Sequence, residues 1–465
     1  GGRRATGKMT EAVHNHQAVL RGDPQGRPDE KPAFEYDIWL IGAALTLLCI
    51  GLIMVVSTSV SIAEQRELSP LYYFWRHLGA AVIGCTTAFI AMRVPLEKLD
   101  RYSTSLLFLG IMLLVAVLIP GFGHEVNGSM RWLQLGSISL QPSEPAKLAV
   151  VVYLAAYMVR HNNQVRSEFV GFIKPIGVLT VISALLLLEP DFGAAVVLFT
   201  TALGMLFLAG VPFLRFFFWG LAALGILAAL SITAPYRLQR LMTFMDPWAD
   251  PYNSGYQLMQ ALIAFGRGEW FGVGLGNSVQ KLYYLPEVHT DFVFAVIGEE
   301  LGLAGTITVI SVFVCLIWRI FHIGGIAERA NLIFAAYMTY GVGLLLGTQA
   351  FVNIGVNMGL LPTKGLPLPF LSYGSNSLAI TFVSLGLVCR AGLEVRALSG
   401  NDARLDPTHT DSEDAVTVNH AVPVGVPASP PSPEGRAEGV PRGPGWFHRR
   451  SRPSTHTHVT VAEHL

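Results

Sequence analysis

Apolar runs alternate with polar connections along most of this chain, at about 38–58, 73–92, 103–119, 143–159, 174–188, 194–210, 216–234, 291–317, 332–352 and 375–395. Their lengths centre on about 20 residues, the number that a helix rising 1.5 Å per residue needs to cross the hydrocarbon core of a bilayer. The pattern predicts an all-α integral membrane protein with ten transmembrane helices. Ten is even, so both termini are expected on one side. Arg93, Lys98, Arg101, Arg160, Arg166, Lys174, Arg319 and Arg329 lie in or beside the connections after spans two, four and eight. Positive charge holds such connections in the cytoplasm, and the two chain ends go with them.

The polar stretches divide the rest. Residues 1–36 read as a cytoplasmic N-terminal tail and 396–465 as a cytoplasmic C-terminal tail, with the membrane domain at 37–395 between them. Both tails are expected to be disordered; the second contains "PVGVPASPPSPEGRAEGVPRGPG", a composition unable to bury a core. No cleavable signal peptide is read, because the first apolar run starts behind a polar stretch. The connection 235–290 is predicted as a large extracytoplasmic loop between spans seven and eight. Trp248, Tyr252, Tyr256, Trp270, Tyr283 and Tyr284 suit an interface, "GYQLMQALIAFG" reads as a short helix on or re-entering the membrane, and "GVGLG" as a tight turn. Of two further outer segments, 121–147 ends in charges that run into span four, and 353–377 brings Gly and Pro to membrane depth, where irregular backbone survives only beside a cavity or buried by protein. Together they predict one outward-facing polar cavity.

Composition agrees. Charged residues make up 14% of the chain and hydrophobic ones 52%, against about 25% charged in soluble proteins. Zero net charge points away from a nucleic-acid partner. Cys49, Cys85, Cys315 and Cys389 all fall in apolar runs, so they read as small packing residues.

What stands out is acid inside lipid. In "EVHTDFVFAVIGEELG", Glu287, His289 and Asp291 head an apolar run that also holds Glu299 and Glu300, although an intramembrane charge costs roughly 2.5–3.5 kcal/mol. Asp291 stands at the expected helix N-terminus, either as a cap, a role open also to Thr290, or as a proton acceptor whose pKa is pulled down by the dipole and up by a dry cavity. At about 100° per residue, Glu299 lies about 80° round the helix from the Asp291 face and Glu300 opposite it, and both read as structural. Glu144 and Lys147 share one helix face and suit either a structural pair or a phosphate site. Asp191 is a cap or a cavity residue. Arg131, Arg267, Lys281 and Lys364 would each bind anionic headgroups alone; gathered in one cavity they would suit a diphosphate.

The stretches "HTDFVFAVIGEELG", "GNSVQKLYYLPE", "GYQLMQALIAFGRG", "NGSMRW", "QPSEPAK" and "LPTKGLPLPFLSYG" resemble the SEDS family of bacterial peptidoglycan glycosyltransferases, over about residues 37–395. "GRGEWFGVGLGNSVQK" and "MDPWADPYNSGYQ" resemble its cell-division member more than its elongation member. The resemblance implies ten spans in the cytoplasmic (inner) membrane, at the division septum, and polymerisation of lipid II on the outer face. It implies Asp291 as the essential acid and a substrate-binding set of Arg131, Glu144, Lys147, Asp191, Lys281, Glu287, His289, Lys364 and Ser375. It also implies a divalent cation, Mg2+ or Mn2+, with no metal ligands identified. The implied partners are lipid II and undecaprenyl-linked glycan, membrane lipids, the class B penicillin-binding protein FtsI, and the FtsQ, FtsL and FtsB complex. Three motifs depart from the family pattern: "EPDFG" puts Glu189 beside Asp191, "YGSNS" replaces "YGGSS", and "QPSEP" brings Pro145 into a first helical turn, where a missing N–H is harmless.

The implied chemistry is an inverting transfer in which Asp291 takes the proton of an attacking sugar hydroxyl. A diphosphate is already a good leaving group, so one carboxylate suffices where a glycosidase needs two. Two other classes stay open: a lipid II flippase, which would need important charges at both faces, and a scaffold that only recruits the transpeptidase, which would make the outer carboxylates dispensable.

Overall fold

The computed structural model describes residues 37–405, apart from 127–128, 137, 168, 215–216, 220, 223–224, 226–243, 252–254, 282–288 and 363–364. The helices, in chain order, are α1 (Ile38–Gln65), α2 (Tyr72–Arg93), α3 (Leu96–Arg101), α4 (Ser103–Leu118), α5 (Ser143–Arg160), α6 (Asn162–Ser167), α7 (Phe169–Leu188), α8 (Phe192–Leu208), α9 (Tyr256–Gly268), α10 (Val293–Arg329), α11 (Ile333–Asn357) and α12 (Ser375–Leu405). Nine predicted apolar runs fall largely on these helices, and the run at 216–234 lies mostly outside the described residues. By length and composition, α1, α7, α10, α11 and α12 can cross a membrane, and α4 and α8 are shorter apolar helices. The N-terminal tail lies outside the described residues, as does 406–465 of the C-terminal one, whereas 396–405, expected as the start of that tail, continue α12.

The expectation of an all-α chain needs one correction. Residues 123–140 form a three-stranded antiparallel sheet, β1 (Gly123–Val126), β2 (Ser129–Leu135) and β3 (Ile138–Leu140). Val126 pairs with Ser129, and the sequence between them, Asn-Gly, is a dipeptide that two-residue hairpins favour. Gly136, at φ 65°, turns β2 into β3. These turn residues outweigh helical propensity in a segment that lies outside the apolar runs.

At the centre lies α11, packed against α10, α5, α8 and α12, with Met338, Thr339 and Val342 fully buried. Around it the helices approach through small residues, as helices do when lipid removes the hydrophobic drive between them. Gly386 lies on the backbone of Ala88, and Gly84 on the ring of Phe382, so that α2 runs close along α12. Trp75, Val82, Ile83, Phe89 and Ile90 on α2 are exposed, as are Phe108, Leu109 and Met112 on α4. Such apolar surface suits acyl chains.

The longest helix is interrupted. In α10, Gly302 adopts φ 67° and ψ −162°, which breaks the ladder of backbone bonds. The segment after α9 repairs it from outside. Val273 and Gly274 donate to the carbonyls of Glu299 and Glu300, each at 3.0 Å, while Leu303 and Ala304 donate to Glu269 and Trp270 at 2.9 and 3.0 Å. This approach needs glycine: a Cβ on Gly302 would stand 2.4 Å from the Gly272 nitrogen, and one on Gly268 would stand 1.8 Å from the Gly298 oxygen. Gly272, Gly274 and Gly276 all have positive φ, the turn read from "GVGLG".

Candidate active site at the head of α10

Asp291 precedes α10 and is half-buried. The N-cap position is Phe292, whose side chain cannot cap. Asn357, from the end of α11, takes over that work. Its Nδ2 donates to the Asp291 carbonyl at 2.9 Å, and its Oδ1 accepts the Ala295 N–H at 3.1 Å. Asn353, one turn earlier on α11, donates to the same Asp291 carbonyl at 3.0 Å and to the Leu366 carbonyl at 2.6 Å. Residues 365–374 thus form a strap across the head of α10. Its far end is tied by Tyr373 N–H donating to the His289 carbonyl at 2.9 Å. At its near end Gly365 leaves room for the carboxylate, since a Cβ there would lie 3.1 Å from Asp291 Oδ2.

The same face of α11 carries Gln349, so amides recur at 349, 353 and 357, four residues apart and stacked on one side. Gln349 Nε2 donates to the Pro367 carbonyl at 3.0 Å, and its Oε1 accepts from Lys147 Nζ at 3.4 Å. Lys147 pairs with Glu144 at 2.9 Å, both almost wholly buried on α5. The pair read from spacing therefore exists, and the strap links it to Asp291. A buried cation with one carboxylate partner is held in place, because removing either leaves the other uncompensated.

Beside this pair lies the turn between α7 and α8. Asp191 caps α8 by accepting the Ala194 N–H at 3.2 Å, and it accepts from Ser143 Oγ at 3.2 Å and Gln141 Nε2 at 3.5 Å. Arg131, on β2, donates through Nε to the Glu189 carbonyl at 3.2 Å and through its guanidinium to that of Pro190. Burial pushes the Glu189 carboxyl up to about 8, the Asp191 charge adds to the rise, and Arg131 opposes it.

Other predicted residues have other surroundings. Lys281 is buried, with Nζ 2.9 Å from Glu300 Oε1 and 3.1 Å from Ser57 Oγ. Glu299 accepts from Arg267 at 3.2 Å, from Val279 and Gln280 N–H at 3.1 and 3.3 Å, and from Ser278 Oγ. Glu299 and Glu300 thus hold segment 278–281 onto α10, the structural role their spacing suggested. The His289 ring lies 5.5 Å from that of Tyr73 and 5.6 Å from that of Tyr373. Ser375 is exposed at the first position of α12. Glu287 and Lys364 lie outside the described residues, as do Tyr252, Tyr283 and Tyr284. Among the described residues, no three His, Cys, Asp or Glu side chains gather to hold a metal ion. A pocket lined by Asp37, Arg319, Ile323, Cys389 and Arg396 lies toward the other end of α10 and shares no residue with this group.

Sequence reasoning missed Gln349, Asn353 and Asn357. Their four-residue spacing, from Gln349 inside the run at 332–352 to Asn353 and Asn357 just beyond it, was the available signal, since amides at membrane depth are costly unless bonded.

Known proteins resemble the chain closely. Residues 38–397 match the family described as Cell cycle protein, FtsW/RodA/SpoVE. The probable peptidoglycan glycosyltransferase FtsW of Nitrosococcus halophilus is 56% identical over 390 residues, which covers 83% of this chain and 97% of that one. Its counterpart from Hahella chejuensis is 53% identical over 364 residues, covering 78% and 91%. Among solved structures, a chain described under "Structural coordination of polymerization and crosslinking by a peptidoglycan synthase complex" superposes with a TM-score of 0.63 at 28% identity, covering 77% of this chain and 98% of that one. The rod shape determining protein RodA of Thermus thermophilus gives a TM-score of 0.58 at 26% identity, covering 79% and 99%.

Proposed function

Since the chain belongs to the FtsW/RodA/SpoVE family of cell cycle proteins, we propose that it is a peptidoglycan glycosyltransferase of the division type, polymerising lipid II into glycan strands. It is a multi-pass membrane protein. The finer reading gives it ten spans, both termini in the cytoplasm, a large outer loop before α10, and a place at the division septum. FtsI and the FtsQ, FtsL and FtsB complex are its proposed partners.

In the proposed mechanism, Asp291 removes the proton from the 4-hydroxyl of a lipid II GlcNAc as that oxygen attacks C1 of the MurNAc on the growing chain. The C1–oxygen bond to undecaprenyl diphosphate breaks with inversion, and the diphosphate leaves with its electron pair. The observation that supports this most is the joining of Asp291 to the buried Lys147–Glu144 pair by one strap and one row of amides. A base for the incoming oxygen and a cation for the departing one are what an inverting transfer from a diphosphate requires. Lys147 is assigned the departing charge, with Arg131 and Lys364 as further candidates. The proposed divalent cation, Mg2+ or Mn2+, finds no ready cage among the described residues, so no step is routed through one.

The test uses purified protein and lipid II. Asp291→Asn is expected to fold, to bind FtsI, and to lose about 10²–10⁴-fold in polymer formation, the usual contribution of a general base. Substantial glycan from that variant would remove Asp291 from the role.

A further inference from the structure

In a regular helix that included residue 291, the Asp291 carbonyl would accept the Ala295 N–H, four residues on. Here that rung is split. Asn357 enters between the two groups, donating to the carbonyl at 2.9 Å and accepting from the N–H at 3.1 Å. Ala295 N–H also reaches Phe292 O at 3.1 Å, so the helix's own bonding begins one residue after the acid. One amide thus satisfies both ends of a missing helical bond, and Asp291 stays outside α10. Asn353 then binds the same carbonyl at 3.0 Å and the Leu366 carbonyl at 2.6 Å, which ties the turn to the strap beside Gly365. Both asparagines are nearly or fully buried, at 2% and 0% exposure.

We propose that Asn353 and Asn357 are positioning residues for Asp291. Asn357 takes the place of the first rung of α10, and Asn353 fixes the resulting turn against the strap, so the carboxylate faces the gap that Gly365 leaves. Neither touches the carboxylate in the contacts described. They act through its main-chain carbonyl. The inference rests on the reading of Asp291 as the base.

Without the Asn357 amide, the Asp291 carbonyl and the Ala295 N–H are left to bond each other. α10 then lengthens at its head and residue 291 is wound into the helix, where its side chain swings to another direction. Misplacing a reacting group by about 1 Å can cost on the order of a hundredfold.

The experiment measures kcat and KM for lipid II with the full chain and its transpeptidase partner. The variants compared are Asn353→Leu, Asn357→Leu, Asn357→Asp, Asp291→Asn, Asp291→Glu and the last combined with Asn357→Leu. Asn357→Asp is the discriminating variant, because an ionised carboxylate still accepts from Ala295 yet cannot donate to the Asp291 carbonyl. If Asn357 served only as a helix cap, the aspartate would do at least as well near the positive end of the dipole. The expected result is a fall in kcat of about tenfold to a hundredfold for all three asparagine variants, with KM changed by less than about threefold. In an Asp291→Glu background, where the longer side chain no longer depends on that turn, the further loss from Asn357→Leu should shrink to about threefold or less. Normal kcat in Asn357→Asp, with Asp291→Asn inactive, overturns the positioning role and leaves the base in place. Full additivity in the Asp291→Glu background overturns it too. Polymer from Asp291→Asn instead removes the base on which the inference rests.

Discussion

At its head α10 presents one half-buried carboxylate, Asp291, held through its backbone. Further along, beside the break at Gly302, it buries two, Glu299 and Glu300, held through their side chains. Glu300 takes bonds from Ser57 and Lys281, and Glu299 from Arg267, Ser278 and two backbone N–H groups. The difference teaches how one helix can carry both kinds of acid. Donors spent on the carboxylate oxygens lock a buried charge into architecture. Donors spent on the carbonyl behind an acid fix the direction that its side chain takes.

The largest way to break this contrast is to unpair the inner acids. Lys281→Ala leaves Glu300 buried without its cation, and a loss of about 3–5 kcal/mol in stability is expected. The fall should appear as a lower melting temperature in detergent, while turnover per folded molecule stays near that of the parent. Substituting Lys281 and Glu300 together by methionine should recover most of the stability. If Lys281→Ala abolished turnover in well-folded protein, the inner acids would belong to the chemistry as well.

A smaller effect tests the outer acid from the opposite direction. Gly365→Ala sets a methyl about where Asp291 Oδ2 needs room, at 3.1 Å. Turnover should fall about tenfold through misalignment of the base, with stability within about 0.5 kcal/mol. Unchanged turnover would show that the carboxylate faces elsewhere during reaction.

Smallest is the test on a third kind of acid. Glu189, in the turn before α8, is buried and titrates at about 8, against 4.5 for an ordinary glutamate. The folded state therefore holds a proton that the unfolded state has lost, so stability is fully present below about 4.5 and declines until pH passes about 8. Glu189→Gln should flatten the decline of melting temperature across that window. A slope identical in both proteins would mean that Glu189 is already ionised at neutral pH.

Much of the fold was legible because lipid imposes a blunt rule: runs of about 20 apolar residues become helices. The strands at 123–140 were not, since their signal lay in Asn127, Gly128 and Gly136 rather than in apolar period. The Glu144–Lys147 pair was legible from a spacing of three, and so was the place of Asp291 before a helix. What spacing could not supply was the long-range partner of each group. Asn353 and Asn357 stand more than sixty residues from Asp291, and Lys281 meets Ser57 across 224 positions. Lys281 thus reads as a phosphate ligand from its charge and behaves as a counter-ion once Glu300 and Ser57 are beside it.

Each of the four backbone bonds across Gly302 joins one residue of 269–274 to one of 299–304. Neither stretch can gain or lose a residue alone without slipping every later match and leaving backbone polar groups unpaired. This part of the chain is spliced like a joint cut to measure. Glu299, Glu300 and the glycines apart, it tolerates changes of side chain far better than any change of length.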